Sequence, residues 1–203
     1  MPEEKSGAAG GSETGRLRRA AFAGGCFWCM EHAFDQVRGV VSVTPGYTGG
    51  HKKDPTYDEV SSGQTGHAEA VLVVYDPEKV DYERLLDVFW RNIDPTVRDR
   101  QFCDVGPQYR TAVFYFSERQ RRLAEESLVR LQEAVRLEGP VATVILPAGE
   151  FYPAEEYHRK YYLKNPNLYE AYRAQCGRDL RLGELWGDAA GAGKESDAHG
   201  NKK

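Results

Sequence analysis

Strand and helix signals alternate along the middle of this chain, and that alternation limits the folds open to it more than any single motif does. Ala20 to Ala23 is a short apolar run that ends at Gly24-Gly25, after which Phe27, Met30 and Phe34 keep one helical face. Val40 to Val43 is β-branched and leads into a turn-rich stretch, Pro45-Gly46 to Gly49-Gly50, then Asp54-Pro55. Ala68 to Tyr75 reads as a strong strand stopped by Asp76-Pro77, and Leu85, Leu86, Phe89 and Ile93 then share a helix face. Tyr109 to Phe116 is another strand. Ser117, with Gln120 three residues on, starts a long charged helix as a capping box. Leu123, Leu128, Leu131 and Val135 form its buried side, and Gly139-Pro140 closes it. Val141 to Leu146 is the last clear strand. Some neighbouring strands have no helix between them, so the pattern predicts an α+β fold. The expected form is a ferredoxin-like two-layer sandwich, with helices on a mixed β-sheet and a long C-terminal coil.

The chain has 203 residues, the size of one domain, with 40% hydrophobic and 29% charged residues, enough for a sizeable core. Residues 1–17 and 187–203 are rich in small and charged residues without periodicity and read as disordered tails around a single domain at 18–186. The net charge is −4 and no Lys/Arg cluster interleaves with aromatics, which argues against nucleic acid as a partner. No apolar run is long enough to cross a bilayer, and the N-terminus lacks a secretory leader. A cytoplasmic monomer is the expectation. In a reducing compartment the four cysteines are expected to be reactive, metal-binding or buried rather than structural staples.

The segment Gly24-Gly25-Cys26-Phe27-Trp28-Cys29 places Cys26 where a strand ends and a helix begins. The free N–H groups and positive dipole end of a helix start favour thiolate over thiol, and thiolate is the form that attacks electrophilic sulfur. Cys29 completes a C-x-x-C spacing, which on a helix puts both sulfurs on one face. Three uses compete for it: a redox couple, half of a zinc site, and a structural residue. Zinc normally wants a second ligand pair, and neither Cys103 nor Cys176 has a cysteine or suitably spaced histidine near it in sequence, so no metal is expected. A thioredoxin-like thiol exchanger remains the serious rival, and a pocket that binds methionine-rich partners without turnover is a third reading.

Gly25-Cys26-Phe27-Trp28 with Glu31 resembles the signature of the A-type peptide-methionine sulfoxide reductase (MsrA) family. The likeness continues through Gly46-Tyr47-Thr48-Gly49-Gly50, Asp54-Pro55-Thr56-Tyr57 and Gly66-His67-Ala68-Glu69 to Tyr75-Asp76-Pro77. Asp104-Val105-Gly106, Gln108-Tyr109-Arg110, Ala154-Glu155, Tyr157-His158 and Lys164-Asn165-Pro166 follow in order, so the resemblance spans about 20–166. It implies reduction of methionine S-sulfoxide, free or in peptides and proteins, with Cys26 as nucleophile. It implies Glu69 as a buried general acid, Tyr57 and Tyr109 as hydrogen-bond partners of the sulfoxide oxygen, and Asp104 as a support for that site through water. Phe27 and Trp28 would wall a pocket for the S-methyl group. His67 and His158 are assigned structural or supporting roles, since such histidines are more often satisfied than catalytic.

After attack, Cys26 would be a sulfenic acid, which needs a second thiol and then an outside reductant. The family implies thioredoxin, or another dithiol, and no bound cofactor. Position 29 is often Gly in the family, where resolving cysteines lie in a Gly-rich C-terminal segment. Cys176 is favoured as resolver by position, with Cys29 as a direct or relay resolver. Cys103 reads as a small buried side chain. Pro107 and Arg159 depart from frequent family residues without removing any of these assignments.

Overall fold

The computed structural model describes residues 17–134, 137 and 139–191. The tails expected at 1–17 and 187–203 fall mostly outside these residues, and so does Val135.

Apolar alternation builds the centre. In β1 (Arg18–Gly24), Ala20 and Phe22 face one side of the sheet while Ala21 and Ala23 face the other. Strand β2 (Val40–Thr48) and strand β3 (Ala68–Tyr75) pair antiparallel, and β3 also pairs antiparallel with β1. On the other side of β1 comes β6 (Thr111–Tyr115), antiparallel to it, and then β7 (Val144–Pro147), parallel to β6. A short strand, β8 (Phe151–Pro153), extends the opposite edge beside β2. The six strands lie in the order β7-β6-β1-β3-β2-β8, a mixed sheet in an α+β protein.

Helices α1 (Phe27–Asp35), α3 (Tyr82–Arg91) and α4 (Glu118–Ala134) contribute to the larger core, with Phe34, Phe89 and Ala124 among their buried residues. Phe22 stacks on Phe34 at 4.9 Å and on Phe89 at 5.3 Å between ring centroids, joining strand and helices in one aromatic stack. Truncating such a fully buried Phe to Ala costs about 3–5 kcal/mol. The opposite sheet face is lined by alanines and Phe114.

Three differences from expectation have physical causes. Strand β2 runs straight through Pro45-Gly46, where the sequence suggests a turn. Pro45 lacks a donor, but its carbonyl accepts the Ala154 N–H at 2.9 Å, and a Cβ on Gly46 would lie 2.3 Å from the Tyr152 carbonyl oxygen. That glycine permits the close approach of β8. The cap of α4 differs by one residue: the Gln120 N–H donates to Ser117 Oγ at 3.2 Å, while Gln120 Oε1 accepts from Phe116 rather than from Ser117.

The expected long C-terminal coil is instead mostly helical. It contains α5 (Tyr161–Lys164), α6 (Pro166–Gln175) and α7 (Arg178–Trp186). Pro166 sits at the first turn of α6, where its missing donor does no harm, and Tyr169, Leu182 and Trp186 are buried. Few residues of this segment are apolar and inward-facing, so its periodicity is faint. Order continues past 186: a single 3₁₀ turn covers Gly187–Ala189, and the Gly191 N–H donates to the Arg91 carbonyl at 3.0 Å. Among the described residues no helix is long and apolar enough to cross a membrane.

Candidate active site

Gly25, at φ +77°, lets the chain leave β1 and enter α1 within two residues. A Cβ there would press within 2.5 Å of the Gln101 side chain. Cys26 is thereby set at the N-cap of α1, 5% exposed. Around its sulfur lies a cavity of about 230 Å³ lined by Cys26, Phe27, Trp28, Tyr57, Glu69, Asp104, Tyr109 and Tyr172. A larger cleft of about 530 Å³, flanked by Arg18, Arg19 and Arg119, contains no thiol, so size alone does not pick the site.

Each wall of the cavity has a local reason for its place. Tyr57 opens helix α2 (Tyr57–Ser61), whose N-cap Thr56 forms a capping box with Glu59. The Tyr57 N–H also donates to Glu155 Oε1, and the other oxygen of that carboxylate accepts the Tyr47 hydroxyl, both at 2.8 Å. Glu69, the second residue of β3, is 3% exposed and points inward, where its Oε2 accepts the Phe27 N–H at 3.0 Å. Asp104 starts β5 (Asp104–Val105), which forms a two-stranded hairpin with β4 (Arg100–Gln101). Tyr109 ends a 3₁₀ turn just before β6.

Trp28 donates its indole N–H to His158 Nδ1 at 3.1 Å and stacks on Tyr161 at 3.9 Å. His158 is 1% exposed and also lies against Phe27 and Tyr57, at 5.0 and 4.4 Å between centroids. It ties the aromatic walls together. His67 is spent elsewhere, bridging the Gly50 N–H and the Lys52 carbonyl.

Burial pushes the Glu69 carboxyl up to about 8, with Asp104 and Cys29 adding to the rise and the Phe27 N–H opposing it. A buried carboxyl that holds its proton near neutrality is a proton donor in waiting. Burial likewise raises Asp104, against the pull of its Tyr172 hydrogen bond and Arg178. Tyr57 and Tyr109 are raised by burial and by Glu69, so both keep their hydroxyl protons.

Cys26 and Cys29 are both free and buried, and they hydrogen-bond each other. Desolvation raises Cys26, the more so with Cys29 beside it, and so opposes the ionisation that a helix start favours. Cys29 is lowered to about 6 by the hydrogen bond from Cys26, despite its burial, with Arg178 and Arg173 adding to the effect.

Cys176 forms a disulfide with Cys103, with Cα atoms 4.8 Å apart and a sequence separation of 73. Cys103 is exposed, not buried as expected. Among the described residues, one trio with metal-ligand reach is Cys103, Asp104 and Cys176, and its two sulfurs are already joined.

The structure brings Cys26, Phe27, Trp28, Tyr57, Glu69, Asp104 and Tyr109 to one cavity, with Cys29 against Cys26 and Cys176 outside on Cys103. Sequence reasoning missed two residues. Tyr172 lines the cavity and donates to Asp104 Oδ2 at 2.5 Å; its only signal was a tyrosine pair, Tyr169 and Tyr172, one helical step apart. Arg178, 1% exposed, donates to the Gly24 and Asn92 carbonyls at 3.2 and 2.7 Å and lies over the Phe102 ring. Nothing in its sequence surroundings marked it.

Comparison with known proteins gives one consistent answer. The family model described as peptide methionine sulfoxide reductase matches residues 18–190. A peptide methionine sulfoxide reductase MsrA from Bacillus licheniformis is 52% identical over 168 residues, which is 83% of this chain and 93% of that protein. The crystal structure of Mxr1 from Saccharomyces cerevisiae in reduced form superposes with a TM-score of 0.70 at 34% identity, covering 74% of this chain and 87% of that one. Mxr1 in complex with Trx2 gives 0.51 at 26% identity, covering 71% and 84%. A matched model over nearly all the described residues, with relatives this close, places the chain in the peptide methionine sulfoxide reductase family.

Proposed function

We propose that the chain reduces methionine S-sulfoxide, free or in peptides and proteins, to methionine, repairing oxidative damage with cysteine electrons and no bound cofactor. The observation that carries this reading is the buried Glu69 carboxyl in the same small cavity as the Cys26 sulfur, where burial pushes it up to about 8. Sulfoxide oxygen leaves poorly unless it takes a proton, and Glu69 supplies one while Tyr57 and Tyr109 donate hydrogen bonds to it. Cys26 attacks the sulfoxide sulfur and passes its own proton to the Cys29 thiolate along their hydrogen bond. Phe27 and Trp28 hold the S-methyl group against apolar rings. Asp104, with water, supports the oxygen site.

The protonated oxygen departs as water, a water attacks the Cys26 sulfur, and methionine leaves with the bonding electrons, so Cys26 remains as a sulfenic acid. Cys29 then condenses with it, forming a disulfide and releasing water. Position in the chain favoured Cys176 as resolver, but the bond of Cys176 to Cys103 and the contact between Cys26 and Cys29 support Cys29 as first partner. Thioredoxin or another dithiol restores the thiols, a reading supported by the yeast relative solved with Trx2. A general disulfide exchanger would have no use for Glu69, Tyr57 and Tyr109 around its thiol. The ferredoxin-like description of the sheet is supported by the order β6-β1-β3-β2, with α1 between β1 and β2 and α3 between β3 and β6.

The test is methionine formation from the S-sulfoxide with dithiothreitol or thioredoxin as reductant. Cys26→Ser is expected to abolish it. Wild-type turnover in that variant would remove Cys26 as nucleophile.

A further inference from the structure

We propose that the cleft at the start of α3 and α4 is a second binding site, which holds the phosphate of a small organic ligand on Arg18, Arg19 and Arg119. The site is independent of the thiol chemistry and of the reductase reading.

The cleft, of about 530 Å³, lies where β1 begins, whereas Cys26 follows the end of that strand. The seven residues of β1 put about 20 Å between the two. Helices α3 and α4 both start at the cleft. Asp81 caps α3 by accepting the Arg84 N–H at 2.7 Å, and Ser117 caps α4 by accepting the Gln120 N–H at 3.2 Å. Asp81, Tyr82, Ser117 and Arg119 all line the cavity, so the positive ends of two helix dipoles meet there.

The three arginines add to that field. Asp81 is the one carboxylate among the lining residues, which leaves the cleft positive. Arg18, Arg119 and Asp81 all act on the Tyr75 hydroxyl, so their charges are gathered around one point. Arg19 lies over the Phe116 ring at 4.9 Å, an arrangement that uses the face of the guanidinium and leaves its N–H edge for a further partner. Among the described residues neither Arg19 nor Arg119 pairs with a carboxylate. Gln120 stiffens the frame: its Oε1 accepts the Phe116 N–H and its Nε2 donates to the Arg19 carbonyl, both at 2.7 Å.

A separate observation comes from the wall. Tyr82 lines the cleft and is 5% exposed, yet its hydroxyl has no hydrogen-bond partner. Burial holds the proton on that oxygen, and a buried donor without an acceptor is costly. A phosphate has enough oxygens to meet several guanidinium forks and one hydroxyl together, which the two oxygens of a carboxylate do not. A bare phosphate would leave most of the volume empty. Phe116 and Leu123 offer an apolar wall for the rest, so the ligand class is an organic phosphate of nucleotide size.

Calorimetric titration with ATP, pyrophosphate and adenosine tests this. ATP is expected to bind with a Kd below about 1 mM, more weakly as salt is added. Pyrophosphate should displace it and adenosine should not. In Arg19→Ala/Arg119→Ala the affinity for ATP should fall about tenfold or more. Both side chains are exposed, so the urea unfolding of that variant should match the wild type. Tyr82→Phe should weaken ATP about fivefold without lowering the unfolding midpoint, because the hydroxyl it removes has no partner to lose. A wild-type chain that ignores millimolar ATP overturns the site, and so does ATP binding that survives the double variant unchanged. Adenosine binding as tightly as ATP, or failure of pyrophosphate to compete, overturns the phosphate assignment. Should the double variant unfold early, Tyr82→Phe decides alone, and an unchanged affinity there overturns the site.

Discussion

The backbone N–H of Phe27 donates to Glu69 Oε2, so the first free amide of α1 is satisfied by a carboxyl group that shares a cavity with Cys26. The bond fixes the carboxyl beside Cys26 but does not ionise it, because burial outweighs one neutral donor. Glu69→Gln keeps an acceptor for that amide and removes the acid. Turnover should fall by about 10²-fold or more, the usual worth of a placed general acid. In the wild type, activity should decline as pH rises through about 8, where Glu69 loses its proton, and the variant should lack this limb. An unchanged pH–rate profile counts against the acid.

The same carboxyl makes a stability prediction. Its pKa moves from 4.5 to about 8 on folding, so between those values the folded chain holds a proton that the unfolded chain releases. Stability is then full below 4.5 and falls as pH climbs toward 8. Glu69→Gln should remove part of that fall, roughly 1–3 kcal/mol, in urea unfolding compared at mildly acidic and alkaline pH. Parallel curves for the two proteins would mean that the carboxyl is not buried as described.

Thiolate absorbance should report the inner pair directly. A titration step near 6 is expected from Cys29, absent in Cys29→Ser. Arg173→Met should move the step upward, since that guanidinium favours the charged sulfur. A step that survives Cys29→Ser would return the charge to Cys26.

The Trp28–His158 bond holds a wall of the Cys26 cavity, so its loss is expected to weaken substrate binding rather than slow the chemistry. His158→Phe preserves a ring against Phe27 and Tyr57 but gives the indole N–H no acceptor. Michaelis constants should rise about fivefold, the worth of one hydrogen bond, with kcat changed less than about twofold. An equal drop in kcat would place His158 in the reaction itself.

Much of this was readable from residues. The β-branched and aromatic runs marked β1, β3 and β6, and the double glycine marked the turn that presents Cys26. Apart from Tyr172, the cavity walls carried family motifs, so they could be named before their distance apart in sequence was bridged by folding. What stayed hidden depended on contacts between remote segments. Cys103 and Cys176 look like singletons until the hairpin meets the end of α6. Cys26 at a helix start reads as a thiolate on its own, and only the fold shows its sulfur buried against that of Cys29. Helices α5 to α7 have few inward apolar positions, so local periodicity could not separate them from coil.

Arg178 reaches from α7 back to the carbonyl of Gly24, linking positions 154 residues apart. Its charge favours the Cys29 anion, and its side chain props the turn that presents Cys26. During synthesis the signature cysteines leave the ribosome long before this cation does. A nascent chain therefore carries Cys26 and Cys29 early but completes their surroundings only once residues 178–186 have emerged and packed, so that setting forms late in translation.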